Sequence, residues 1–262
     1  MDWLSPGAAL LAAAAFGAGV LNAVAGGGSF LTFPALVFTG VPPIMANATS
    51  ALAVSPGYLG STLGFKAELR ALPLRRLRRE LLISAGGGVV GALLLLVTPA
   101  RLFTGLVPCL LLFATALFAA GPALARWLQA RSGQTGAGPA AVDRPGWRDA
   151  ALLLVAIYGG YFNGGLGILL MALYTVAGET RLSTVNALKN LNSLVLSWLS
   201  VLAFMLAGVI AWPQGLLMML GATLGGYVGA RVSRRLPAPV LRAGVVLIGL
   251  GMSLAFFLRG AG

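Results

Sequence analysis

The sequence contains no histidine and only one cysteine, Cys109, inside an apolar run. A disulfide framework is thereby excluded, as are metal sites built on imidazole or paired thiolates. Charge is scarce too. Asp, Glu, Lys and Arg make up 9% of 262 residues, where a soluble domain carries about a quarter. A soluble fold of this size would lack its surface, so lipid is the expected solvent. Acids are the scarcer sign, six against 18 Lys and Arg, for a net charge of +12. No nucleic-acid partner follows from that charge. The basic residues stand in short connectors between apolar runs, which is how membrane proteins set their orientation.

What is present is apolar length. Runs at 4–25, 45–65, 81–98, 102–120, 150–178, 183–210, 216–230 and 240–258 reach or approach the roughly 20 residues that cross a hydrocarbon core. Met1, Asp2 and Trp3 carry no basic n-region, so 4–25 is expected to be a retained segment. The chain also repeats. Gly19-Val20-Leu21-Asn22 returns as Gly160-Tyr161-Phe162-Asn163 after 141 positions. The stretch from Asn47 returns from Asn186 after 139, and that from Gly87 returns from Gly225 after 138. Three matches in order at nearly constant offset point to two related halves. The expected organisation is a first membrane repeat at 1–121, a cytoplasmic linker at 122–147 and a second membrane repeat at 148–262. Within the linker, 131–138 is polar and Gly-rich. Residues 123–130 read as a short amphipathic interfacial helix.

Each half opens on a broken segment. The first apolar run meets Gly26-Gly27-Gly28-Ser29 before a short stretch at 30–38; the second meets Asn163-Gly164-Gly165-Leu166-Gly167 before one at 168–177. Such stretches are too short to span alone. If every segment crosses, eleven basic residues fall inside and six outside. If each break returns to its own side, fifteen fall inside and two outside. The positive-inside rule selects the second arrangement. The expected fold class is therefore an all-α polytopic membrane protein. It has two inverted repeats, each a re-entrant helical hairpin plus three transmembrane helices. Both termini are expected to be periplasmic. This architecture places a binding site at the repeat interface near the midplane.

Broken helices expose backbone N–H groups at the start of a half-helix, where dipole and free donors favour an anion. Gly27, Gly28 and Ser29 supply one such end, and Gly164 and Gly165 the other, beside Asn22 and Asn163. Close helix packing is the plain alternative for glycines, and it is the preferred reading of Gly86-Gly87-Gly88. A dinucleotide fingerprint is not expected, because these loops follow long apolar helices rather than strands, and no cofactor is called for. Lys189 is the sharpest single residue, since an intramembrane lysine is costly and marks a functional site by default. Snorkelling to the interface competes with that reading. Asn186, Asn190 and Ser193 weigh against snorkelling by extending a polar stripe around the lysine. The equivalent stripe of the first half, Asn47, Thr49, Ser50 and Ser55, is uncharged. No carboxylate is expected in the middle of a span, which leaves Glu179 and Lys189 as the only coupling candidates.

The segment from Gly17 through Gly26-Gly27-Gly28-Ser29-Phe30, Pro34, Gly40-Val41-Pro42 and Ala46-Asn47-Ala48-Thr49-Ser50 resembles the first-half signature of the sulfite exporter TauE/SafE family. Residues 159–167 with Asn186-Ala187-Leu188-Lys189-Asn190 are similar to that family's second module. The resemblance implies a multi-pass protein of the bacterial inner membrane that exports sulfite, a sulfonate such as sulfoacetate, or a related sulfur-containing anion. Its expected partners are the lipid bilayer and a small anion, with a homodimer left open. Movement of the anion is expected to follow membrane potential. Two other readings stay open: a proton-coupled permease for a small organic anion, and an intramembrane enzyme using Ser50 and Lys189 as nucleophile and base.

Overall fold

The computed structural model describes residues 5–24, 27–134, 145–232 and 238–260. Gly26, the linker core at 135–144, Arg234 and Arg235 lie outside them. Among the described residues every regular element is a helix: α1 Pro6–Val24, α2 Ser29–Phe38, α3 Pro43–Gly64, α4 Lys66–Arg70, α5 Leu74–Val97, α6 Ala100–Gln134, α7 Pro145–Tyr161, α8 Leu166–Val176, α9 Leu182–Leu206, α10 Trp212–Val232 and α11 Ala238–Gly260. Proline opens α1, α3 and α7, where its missing N–H has no partner to lose. Glycines of left-handed φ close α2 and α8. Gly40 has φ +88° and Gly178 φ +83°, and the next residue's N–H reaches back to Leu36 and Tyr174 respectively.

The half-helices α2 and α8 have 10 and 11 residues, about 15–16 Å of rise. Helices α5, α9 and the 100–121 part of α6 are long and apolar enough to cross a membrane by length and composition. The outer surface agrees with a lipid solvent, with Val97 75% and Leu206 83% exposed. One expectation is corrected here. Residues 123–130 are not a separate interfacial helix, because α6 runs unbroken past Gly121-Pro122 to Gln134. The Ala-, Leu- and Arg-rich sequence after the proline has high helix propensity and contains no stop signal.

Helix packing follows the repeat. Helix α1 lies on α10 as α7 lies on α5, α3 on α10 as α9 on α5, and α2 on α3 as α8 on α9. Helix α3 meets α9, and α6 meets α11. Exchanging the halves leaves this pattern unchanged. Small residues make the closest contacts, as in bundles where lipid gives helices no hydrophobic reason to associate. A Cβ on Gly19 would collide with the Ala222 carbonyl, one on Gly225 with that of Phe16, one on Gly91 with that of Ile157, and one on Gly160 with that of Gly88. The packing reading of Gly87 and Gly88 is therefore right, for they lie against Ala156 and Leu196. Gly86 faces open space.

These contacts also fix directions. Helices α5 and α7 run side by side, meeting at Glu80 and Arg148 near both starts and at Gly91 and Ile157 further along. Helix α10 runs beside α1 in the same sense, Gly221 against Ala12 and Gly225 against Phe16. Each broken pair returns to its origin. The start of α1 meets the end of α2, a Cβ on Gly7 standing 3.6 Å from Thr39 Cγ2. The start of α7 and the end of α8 join one cluster, through Arg148 to Glu80, Arg76 to Glu80 and Arg76 to Glu179.

Candidate functional site

Both helix breaks turn on glycine. Gly27 has φ +92° and Gly165 φ +76°, a region that side chains disfavour. Asn22 bridges the first break, its Oδ1 accepting the Gly28 N–H at 3.2 Å. Asn163 ties the second to three neighbours. It accepts the Tyr58 hydroxyl at 3.3 Å through Oδ1 and the Ser29 hydroxyl at 3.4 Å through its carbonyl. Its Nδ2 donates to Ser197 Oγ at 3.3 Å. The Tyr158 hydroxyl holds the Gly164 carbonyl at 2.6 Å. In a bilayer such non-helical backbone persists only where protein or a wet cavity surrounds it.

A cavity lies between the breaks, lined by Asn22, Gly27, Tyr58, Ser61, Asn163, Leu166, Gly167, Lys189 and Asn190. Its volume is about 20 Å³, room for one water-sized group. Lys189 packs its stem on the second break, where a Cβ on Gly167 would stand 3.7 Å from Lys189 Cδ. Among the described residues Lys189 makes no ion pair. The Gly167 N–H has no backbone acceptor there either, as expected in the first turn of a helix. One ammonium and one free amide donor thus share a cavity that no carboxylate lines.

Of the residues singled out in the sequence, Asn22, Gly27, Asn163, Lys189 and Asn190 come together around this space. Gly28, Ser29, Gly164 and Gly165 form the backbone of the breaks beside it. Four others do not line it. Asn47 donates to the Tyr161 carbonyl at 2.9 Å, Thr49 accepts the Ala211 N–H at 3.0 Å, and Ser50 shares a 2.6 Å hydrogen bond with Thr32. Asn186 stands one turn before Asn190. Ser50 is therefore not among the residues that line this cavity with Lys189. Glu179 is also elsewhere, paired with Arg76 at 2.9 Å.

Tyr58, Ser61 and Ser197 were missed. Tyr58 and Ser61 continue the helical face of Asn47 and Ser50 at spacings of three and four, but Val54 interrupts the polar signal. Ser197 continues Asn190 and Ser193 in the same way. A second correction concerns acids. No carboxylate is expected in the middle of a span, yet Glu80 lies inside α5, 2% exposed, where Arg76, Arg148, Tyr174 and Asn192 surround it. Donors from α7, α8 and α9 make that burial tolerable, and only folding brings them there.

Apolar helices around a polar cavity, with broken helices at its edge, define a polytopic membrane transporter. The chain belongs to the sulfite exporter TauE/SafE family, which it matches over residues 11–256. It is 29% identical over 249 residues to "Probable membrane transporter protein ORF9" of Sinorhizobium sp, covering 94% of this chain and 90% of that one. It is 29% identical over 260 residues to "Probable membrane transporter protein" of Haemophilus influenzae, covering 94% and 92%. Against "Probable membrane transporter protein YfcA" of Escherichia coli K12 it is 26% identical over 243 residues, covering 90% and 84%. No solved structure matches the chain.

Proposed function

We propose that the protein exports a small sulfur-containing anion, of the sulfite, sulfonate or sulfoacetate type, through the Lys189 cavity. The reading places that cavity near the midplane of an inner membrane, between two inverted repeats at 1–121 and 148–262. The observation that carries it is Lys189, free of any ion pair among the described residues, beside the amide end of α8. A half-helix N-terminus and a lysine both favour negative charge. The return of each hairpin to its own side and the shared direction of α1 with α10 and α7 with α5 support the inverted arrangement. The family's name supports a sulfur oxyanion.

No carboxylate lines the cavity, and Glu80 and Glu179 are held by arginines away from it. Export is therefore expected to need no proton partner. An anion leaving a negative interior gains about 2.3 kcal/mol per charge per 100 mV. For a dianion that is roughly 4.6 kcal/mol per 100 mV, a concentration ratio above about a thousandfold. The test is flux of sulfite and sulfoacetate in proteoliposomes, with potential set by potassium and valinomycin and pH varied independently. Flux should follow the potential. Flux that ignores the potential and tracks the proton gradient, after correction for the anion's own ionisation, replaces this mechanism with a proton-coupled permease.

A further inference from the structure

The densest charge among the described residues is not in the cavity. Arg76, Glu80, Arg148 and Glu179 meet between the first turns of α5 and α7 and the end of α8. Glu80 accepts from Arg76 Nε at 3.0 Å, from Arg148, from the Tyr174 hydroxyl at 2.7 Å and from Asn192 Nδ2 at 3.4 Å. Asn192 Nδ2 also donates to the Tyr174 hydroxyl at 2.6 Å, and Asn192 Oδ1 accepts from Ser84 at 2.7 Å. Arg79 and Asp149 pair alongside. A chain with six carboxylates gathers three of them at this spot.

The counterpart position, built from α10, α1, α2 and α3, shows that the fold does not require this. The glycine turns after α2 and α8 make the same hydrogen bond at an offset of 138, which matches Tyr174 to Leu36 and Glu179 to Val41. The same offset takes Glu80 to Met218, and the 139 offset takes Asn192 to Ala53. All four counterparts are buried and apolar. Packed apolar side chains hold such a position at least as well as a buried ion network does. Charges kept where the counterpart is apolar point to a role besides stability.

Beside this cluster, and not beside its apolar counterpart, stands Lys189, whose own counterpart at the 139 offset is Ser50. Asn192 stands three residues beyond Lys189 on α9, and Tyr174 seven residues, about two turns, beyond Gly167 on α8. A hydrogen bond between them sets both the height and the rotation of α8 against α9. We propose that Tyr174 and Asn192, anchored by Glu80, are positioning residues that hold the amide end of α8 at Gly167 in register with the Lys189 ammonium. The proposal rests on the reading of that cavity as the anion site. Arg76 and Arg148 balance Glu80 and Glu179, so the anchor adds no net charge to compete with the lysine.

Tyr174→Phe and Asn192→Leu test it in proteoliposomes with sulfite and sulfoacetate. Each variant removes the Tyr174–Asn192 hydrogen bond together with a bond to Glu80, and should raise KM about tenfold or more, with the maximal rate within about twofold. Ser55→Ala removes a buried hydrogen bond to Leu52 on α3, 2.8 Å long and outside the network, and should leave KM unchanged. A readout independent of the anion is the spin-label distance between Val176 and Trp198 in a Cys109→Ala background. It should be narrow in the parent and broad in Tyr174→Phe. Ser84→Ala, a milder cut at the edge of the network, should raise KM about two- to threefold if the stronger variants do not fold. Unchanged KM and unchanged distances, with Lys189→Ala inactive, overturn the pin and leave the cavity reading intact. An active Lys189→Ala removes the cavity reading itself, and unchanged distances alone overturn the pin whatever the substrate.

Discussion

Lys189 is the eighth residue of α9, and its stem lies against Gly167. It lines the same cavity as Asn22, Asn163 and Asn190. A charge-assisted hydrogen bond is worth about 1.5–3 kcal/mol. Replacing Lys189 with Met, which keeps length and removes charge, should therefore weaken anion affinity about 10- to 100-fold. Lys189→Ala should abolish flux, and membrane yield should stay normal in both. Counterflow of a labelled anion in proteoliposomes measures this; normal flux in either variant would reduce the lysine to a bystander. Tyr58 belongs to the same scale. Its hydroxyl reaches Asn163 Oδ1 from α3, so one side chain of the first half helps set the break of the second.

At the scale of elements, two kinds of glycine do different work. Gly27 and Gly165 bend the chain through left-handed φ and create the half-helix ends. Gly91, Gly160 and Gly225 sit in ordinary helix and let backbones touch. A methyl at Gly91 would overlap the Ile157 carbonyl, so Gly91→Ala should lower stability by about 1–3 kcal/mol or more. Gly86→Ala, with nothing within 4 Å, should be neutral or stabilising by about 0.5–1 kcal/mol through helix propensity. Thermal unfolding in detergent, read by loss of the monodisperse peak, compares the two. Equal behaviour would mean that α5 and α7 do not pack as described.

For the whole molecule, orientation is the open quantity with the sharpest test. The basic residues of α4 and α5, from Lys66 to Arg79, and Arg148 and Arg181 stand at one end of the bundle, where α7 begins and α8 ends. The positive-inside rule makes that end cytoplasmic. Cysteines at Gly136 and Gly262, on a Cys109→Ala background, should then react with an impermeant maleimide from opposite sides, Gly136 from the cytoplasm. Labelling of both from one side would end the inverted-repeat topology.

Composition alone determined that lipid is the solvent, because 9% charge cannot cover a soluble surface. The repeat offsets agree with the helix pairings, and the glycine breaks located the half-helices nearly to the residue, since backbone chemistry at Gly is local. Lys189 was legible because charge inside an apolar run has no cheap explanation. What only the tertiary structure decided was which polar residues of a stripe face the cavity. Asn47, Thr49 and Ser50 share a helix with Tyr58 and Ser61, yet the first three bond to Tyr161, Ala211 and Thr32, partners remote in sequence. The burial of Glu80 was not legible for the same reason. Its burial depends on Arg148, Tyr174 and Asn192, which lie 68 to 112 residues away, and no local pattern records a hydrogen bond formed across four helices.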